Sequence, residues 1–192
     1  MGIIKEVREK MVGRIAFGDA PLAMLMEAVN EPGDYLEIGV LHGGSLVCAA
    51  LAKKEARVEG KVIGIDPLDG YYGYGALDPL TSVPVHIDTV LENVHRFDVV
   101  DRVIVIPEKS HPFPSSLQSR VFSTVLIDGD HGHFMPTIDW LNVKDRTTHN
   151  ILFDNDEAKF PCVVDVCALV TLYGGWHRRN SIGNLVWFRK DG

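Results

Sequence analysis

Residues 35–52 read YLEIGVLHGGSLVCAALA, and their order decides the fold. A short apolar run suited to a strand meets a turn holding Gly39, Gly43 and Gly44, then a segment suited to a helix. The glycines let the backbone turn tightly and let a ligand approach, while Ser45 can cap the helix and offer a hydroxyl. The spacing is not GxGxxG, which counts against a nicotinamide dinucleotide.

Outward from this unit the same alternation continues. Strands are expected over 35–38, 62–65, 103–106, 124–127 and 151–153, with helices over 45–54, 88–97, 134–143 and 163–173. Near-continuous apolar strands separated by helices predict a parallel sheet covered on both faces. At the end, GGWHRR (174–179) and NLVWFRK (184–190) flank NSIG (180–183), predicting an antiparallel hairpin that turns at NSIG. The expected fold is therefore α/β: a Rossmann-like, doubly wound, mostly parallel seven-stranded sheet with a C-terminal antiparallel hairpin and helices on both faces. One domain spans 1–192, with a helical N-terminal segment over 1–33, where Pro21 precedes LAMLMEAV. Residues 67–88 form an irregular insertion, long enough to be functional, and its GYYGYG stretch (70–75) is a candidate lid. Tyr71, Tyr72 and Tyr74 would supply aromatic faces there, and Gly73 and Gly75 mobility.

Composition narrows the function. The 192 residues are 46% hydrophobic and 23% charged, as in ordinary globular proteins, and the formal net charge is −7. That charge argues against nucleic acid and against an anionic membrane as partners. No uncharged apolar run reaches the ~18–20 residues that span a bilayer, and MGIIKEVREK lacks a signal-peptide core. Cys48, Cys162 and Cys167 are odd in number, lack CxxC spacing and sit in apolar contexts, which suits buried thiols in a reducing, cytoplasmic setting. A small-molecule substrate is the expected partner, and a homo-oligomer stays open.

Glu37, Gly39, Gly43 and Ser45 together spell ExGxxxGxS, which resembles the first motif of the S-adenosylmethionine-dependent methyltransferases of the Rossmann-like class. The second strand ends in VIGIDP (62–67), placing Asp66 where that family holds the cofactor's ribose hydroxyls; a strand-end Asp capping the next turn is the plainer reading. PEKSHPF (107–113) follows the third strand, and Ser110, with Lys109 and His111, is a candidate adenine contact. The resemblance implies cofactor binding by Glu37, Gly39, Gly43, Ser45, Asp66, Ser110 and Asp128.

The strongest concentration of chemistry is VLIDGDHGHF, residues 125–134, where an apolar strand stops at Asp128. NILFDND (150–156) ends the next strand with Asp154, Asn155 and Asp156. Strand tips in such sheets border one crevice, so these carboxylates can meet and would repel unless a cation joins them. All the donors are oxygens, suiting Mg²⁺ or a similar hard divalent ion. The arrangement is similar to that of metal-dependent O-methyltransferases acting on catechols, caffeoyl-CoA and macrolide sugars, some of them related to proteins labelled cephalosporin hydroxylases. By that resemblance the metal ligands are Asp128, Asp154 and Asn155, and His131 is the general base. The implied activity is divalent-metal-dependent O-methylation of a small-molecule hydroxyl, sugar or phenolic.

Plainer readings stand beside these. Asp154 and Asn155 could cap a helix starting near Lys159, His133 could cap the helix at Phe134, and His42 could be a solvated loop histidine. Asp130 is a solvated or supporting carboxylate, and zinc held by Asp130, His131 and His133 would lack a fourth ligand. KDRTTHN (144–150) replaces the Gly-Gly turn usual before the fifth strand, and the N-terminal segment is short, which leaves substrate enclosure unexplained. Two other classes remain: a noncatalytic cofactor-binding module, and an antibiotic-tailoring hydroxylase-like protein, which would need two histidines and one carboxylate on its metal.

Overall fold

A computed structural model describes residues 2–72 and 75–191. Two short helices, α1 (Gly2–Lys10) and α2 (Asp19–Ala28), precede β1 (Asp34–Ile38). Then come α3 (Gly44–Glu55), β2 (Val62–Ile65), α4 (Ile87–Arg96) and β3 (Val103–Ile106). The second half runs β4 (Phe122–Ile127), α5 (Met135–Val143), β5 (Thr147–Phe153), α6 (Pro161–Tyr173), β6 (Trp176–Ile182) and β7 (Leu185–Lys190). The seven strands form one sheet in the order β3-β2-β1-β4-β5-β7-β6. All neighbours are parallel except the β5–β7 and β6–β7 pairs, as the alternation and the terminal hairpin predict.

The two-residue period of the strands sorts their side chains onto two cores. Tyr35, Val62, Leu126, Leu152 and Trp187 join α1 to α4 on one face. Leu36, Ile38, Ile63, Val125, Ile127, Ile151, Phe153 and Phe188 join α5 and α6 on the other. Polar residues on the first face are satisfied internally. Thr124 Oγ1 and Asn150 Nδ2 both donate to Ala28 O at 2.9 Å, and Trp187 Nε1 donates to Asn150 Oδ1 at 2.9 Å. These bonds seat the C-terminal end of α2 on the sheet.

Four local expectations need correction. The hairpin turns at Gly183 and Asn184, because Asn180, Ser181 and Ile182 pair with β7 after a bulge between Arg178 and Asn180. Ser45 lies one residue inside α3, where Gly43 takes the cap position in the left-handed region (φ 79°). Asp154 and Asn155 cap no helix, since α6 begins at Pro161 with Phe160 before it. His42 is fully buried rather than solvated, with Nδ1 accepting from the Arg14 amide at 3.3 Å.

The insertion is anchored rather than loose. Asp69 bridges His86 and Leu77 bridges Pro84. Asp78, buried, accepts from Arg14 Nε at 2.8 Å and from Thr81 Oγ1 at 2.9 Å, tying the insertion to the segment between α1 and α2. Gly73 and Tyr74 of the candidate lid lie outside the described residues. No helix among the described residues is long and apolar enough to cross a membrane.

Candidate active site

The C-terminal ends of β1, β2, β4 and β5 open into a single cavity of about 1030 Å³. Its far walls are Arg14–Phe17 from the N-terminal segment and Tyr71 and Tyr72 from the insertion. A cavity at the strand tips where the sheet order reverses is the expected place for a ligand in this architecture.

Gly39 holds the first corner. Its φ is +91°, and a Cβ there would sit 2.1 Å from the Asp128 carbonyl oxygen, so no other residue fits between β1 and β4. Beneath it Glu37 is buried, accepting from Ser45 Oγ at 2.6 Å and Tyr35 Oη at 2.8 Å. Burial raises the Glu37 carboxyl to about 7, against the two hydrogen bonds, which lower it. Glu37 and Gly43 therefore stand behind the cavity wall rather than in it, while Gly39 and Ser45 line it. Glu37 reaches the cavity only through the Ser45 hydroxyl it orients.

Asp66, at the tip of β2, accepts from the amides of Val40 at 2.7 Å and Leu41 at 3.2 Å, and from Leu68 N at 2.9 Å. It thus does the turn-capping job of the plainer reading and also faces the cavity. A carboxylate has about four acceptor positions, so one remains for a hydroxyl. Ser110, with Lys109 and His111, lines the same side.

At the other end Asp128, Asp154 and His131 converge. One ligand-capable atom from each lies within 4.8 Å of the others. His131 Nε2 is 3.6 Å from Asp128 Oδ1. Asn155 Nδ2 donates to Asp154 Oδ2 at 2.7 Å and faces His131 Nε2 at 3.1 Å, and Asn184 Nδ2 donates to Asn155 Oδ1 at 3.2 Å. Asp154 Oδ1 is buried, and no N–H or hydroxyl among the described residues donates to it. Burial, then the neighbouring Asp154 charge, pushes the Asp128 carboxyl well above its usual range. Burial raises Asp154 as well, while hydrogen bonds from Asp128 and Asn155 oppose the rise. Two such carboxyls in contact stay together by sharing a proton or by binding a cation. Burial lowers the His131 imidazole, Asp130 opposing, so the ring is favoured neutral and able to act as base or ligand.

Several residues of the site were not singled out from the sequence. Asn184 reaches in from the hairpin turn, and Phe160 stacks beside His131 with ring centroids 5.1 Å apart. Asp139 on α5 is buried behind Gly129 with the Ser110 hydroxyl beside it, and among the described residues its oxygens make no hydrogen bond of full geometry. Only three-dimensional proximity marks them, because none belongs to a local motif. His133 and Asp130 lie outside the converging trio; Asp130 Oδ1 instead accepts from the Gly132 amide at 2.7 Å.

Sheet order, glycine corner and strand-tip carboxylates define a Rossmann-like α/β architecture with a cavity at its strand tips. Residues 36–155 match the family described as methyltransferase domain, and the chain belongs to that family. It is therefore a methyltransferase. No curated protein matches the chain in sequence. Among solved structures, the O-methyltransferase NovP is similar with TM-score 0.72 and 19% identity over 97% of this chain and 88% of that one. Cofactor-bound Rv0187 from MTB gives 0.68 and 18% over 98% and 86%. An O-methyltransferase from Bacillus cereus in complex with SAH gives 0.68 and 13% over 100% and 91%. At these identities the likeness is one of fold.

Proposed function

We propose that this methyltransferase uses S-adenosylmethionine to methylate a hydroxyl of a small molecule, sugar or phenolic, with a divalent cation beside the acceptor. The observation that carries the reading is the meeting of half-buried Asp128 and buried Asp154 in the cavity that starts at the Gly39 corner. Solved neighbours of the same fold with a bound cofactor or SAH support the choice of cofactor. S-adenosylmethionine supplies a methyl group on a positively charged sulfur. In this reading Asp66 accepts from a ribose hydroxyl, Gly39 and Ser45 border the amino-acid end and Ser110 meets the base, which is supported by all four lining the one cavity.

The donor chemistry fits a cation. Asp154 Oδ1 is a buried oxygen in need of a partner, and the two carboxylates can replace their shared proton with a metal. A divalent ion there lowers the pKa of a hydroxyl placed against it and fixes that hydroxyl's position. Asn155 holds Asp154 in place, Phe160 and Tyr72 line the cavity around it, and His131 adds a ring nitrogen that burial favours neutral. That nitrogen can take the acceptor's proton or bind the cation, but not both at once. A hydroxylase of the two-histidine-one-carboxylate type is less well supported, because the converging trio has one histidine and two carboxylates. The free thiols of all three cysteines suit a reducing cytoplasm, and we read the chain as one methyltransferase domain.

The test is methyl transfer from labelled S-adenosylmethionine to a panel of phenolic and sugar hydroxyls, with S-adenosylhomocysteine affinity measured in parallel. Asp154→Ala is expected to leave that affinity within about threefold and to lower transfer about a hundredfold or more. Cofactor binding with no transfer to any acceptor would favour the noncatalytic module, and full transfer in excess chelator would remove the cation from the reading.

A further inference from the structure

We infer that Arg14 and Tyr71 form a carboxylate-binding site, and that its occupant is the α-carboxylate at the amino-acid end of the cofactor. The inference rests on S-adenosylmethionine being the cofactor and adds the residues that hold its anionic end.

The segment between α1 and α2 is fixed in place by the protein itself. Asn93 of α4 is fully buried and grips Val12 from both sides. Its Oδ1 accepts from the Val12 amide at 2.8 Å, and its Nδ2 donates to the Val12 carbonyl at 2.9 Å. The same Nδ2 donates to His42 O at 2.8 Å, so one side chain ties this segment to the glycine turn. The next residue, Gly13, lies on the His42 ring with φ +86°, and a Cβ there would stand 2.4 Å from the imidazole. The Arg14 amide then donates to His42 Nδ1 at 3.3 Å, and Ile15 covers Gly44, whose Cβ would meet it at 2.5 Å. These contacts carry Arg14 to the part of the cavity bounded by Gly39, Gly44 and Ser45.

Only half of the guanidinium is used. Nε donates to Asp78 Oδ2 at 2.8 Å and Nη2 to Asp78 Oδ1 at 3.4 Å, so the buried carboxylate occupies one edge of the fork and sets its plane. The second edge, Nη1 with the other Nη2 hydrogen, borders Tyr71, whose Oη is 3.5 Å from Nη2. Among the described residues nothing accepts from Nη1 or from Tyr71 Oη. Arg14 and Tyr71 both line the cavity. Guanidinium N–H groups and a phenol O–H thus stand side by side with no acceptor of their own. A carboxylate, planar and purely accepting, matches that set.

Charge assigns the occupant. Five aspartates line the cavity against two permanent cations, Arg14 and Lys109. Lys109 is next to Ser110, on the side that the proposed function gives to the base. Arg14 is therefore the cation at the glycine corner, the side given to the amino-acid end. An anion is repelled elsewhere in the cavity and is drawn to this edge.

The test compares two ligands on the full-length protein by calorimetry: S-adenosylhomocysteine and its decarboxylated analogue. The wild type is expected to bind S-adenosylhomocysteine at least about tenfold more tightly than the analogue, as a charge-assisted fork warrants. Arg14→Lys keeps a cation for Asp78 but loses the second edge, and Tyr71→Phe removes only the hydroxyl. Each is expected to shrink the ratio at least about threefold, with the analogue's own affinity within twofold of wild type. A merely structural role would weaken both ligands alike, so an unchanged ratio in Tyr71→Phe and Arg14→Lys overturns the inference and leaves the cofactor reading standing. An unchanged ratio accompanied by a raised KM for carboxylated acceptors alone would give the site to the acceptor and overturn the assignment to the cofactor. A wild type that binds neither ligand overturns the cofactor reading and the inference with it.

Discussion

Asp139 illustrates how much rides on single residues here. It sits on α5 with 1% exposure, behind Gly129, where burial outweighs the opposing Ser110 hydroxyl. Burial raises its carboxyl from 3.8 to about 6. A folded pKa above the unfolded one means the folded state holds the proton longer, so this group's contribution to stability is greatest when protonated. It is lost as pH rises from about 4 to about 6, by up to about 3 kcal/mol at 1.36 kcal/mol per unit. Asp139→Asn removes the titration. The stability difference, variant minus wild type, is therefore expected to grow across that window and level off above it, as read by urea unfolding at stepped pH. A difference independent of pH would mean that Asp139 is solvated or paired. Nothing in the sequence sets Asp139 apart from any other helix aspartate, whereas Gly39 and Asp128 stand out because strand, turn and residue type coincide.

Among the elements, the insertion is the one whose reading changed most. Its Pro and Gly content reads as irregular, and irregular it is, but Asp78 converts it into part of the cavity wall. Burial pushes the Asp78 carboxyl up, yet the Arg14 hydrogen bond, the Leu80 amide and the Thr81 hydroxyl together hold it below its usual range. Removing Arg14 strands a carboxylate with no exposed surface. Arg14→Ala is expected to cost about 3 kcal/mol, the low end for a broken buried pair because Arg14 is itself 23% exposed. It is also expected to open the insertion to limited proteolysis faster than it lowers global stability. Equal protection of that segment in variant and wild type would show that the bridges at 69–86 and 77–84 hold it alone. The partners are 64 residues apart in the chain, so no local pattern pairs them. The strands and α3 to α5 were legible within one to four residues, because a buried parallel strand must be apolar on both faces and its crossover helix must follow. The hairpin turn was misplaced because Asn180 and Ser181, which favour turns, are carried in strand by pairing with β7.

For the molecule as a whole, the cavity is walled by parts distant in sequence: the N-terminal segment, the insertion, four strand tips and the hairpin turn. A ligand filling it binds only the folded chain. At a hundred times its dissociation constant it stabilises by about 2.7 kcal/mol, which for a domain of this size is a rise in melting temperature of roughly 5–10 °C. S-adenosylhomocysteine is expected to produce that shift in a thermal melt, and S-adenosylhomocysteine with Mg²⁺ a larger one; an unchanged melt at millimolar S-adenosylhomocysteine would count against occupancy of the cavity.

The strand order came from the structure. By itself the sequence determined the alternation of strands and helices, the terminal hairpin, the glycine corner and the carboxylates at two strand tips. Each of these follows from the period of hydrophobicity, from glycine's freedom at positive φ, or from residue type at a strand end, all of which are local. Tertiary structure alone decided that Glu37 supports the wall instead of lining it, that Arg14 and Asp78 tie down the insertion, and that Asn184 turns the Asn155 oxygen away from the cluster. Those outcomes depend on which hydrogen-bonding group faces which across tens of residues. Only the packed chain, with water removed and every buried donor seeking an acceptor, fixes that choice.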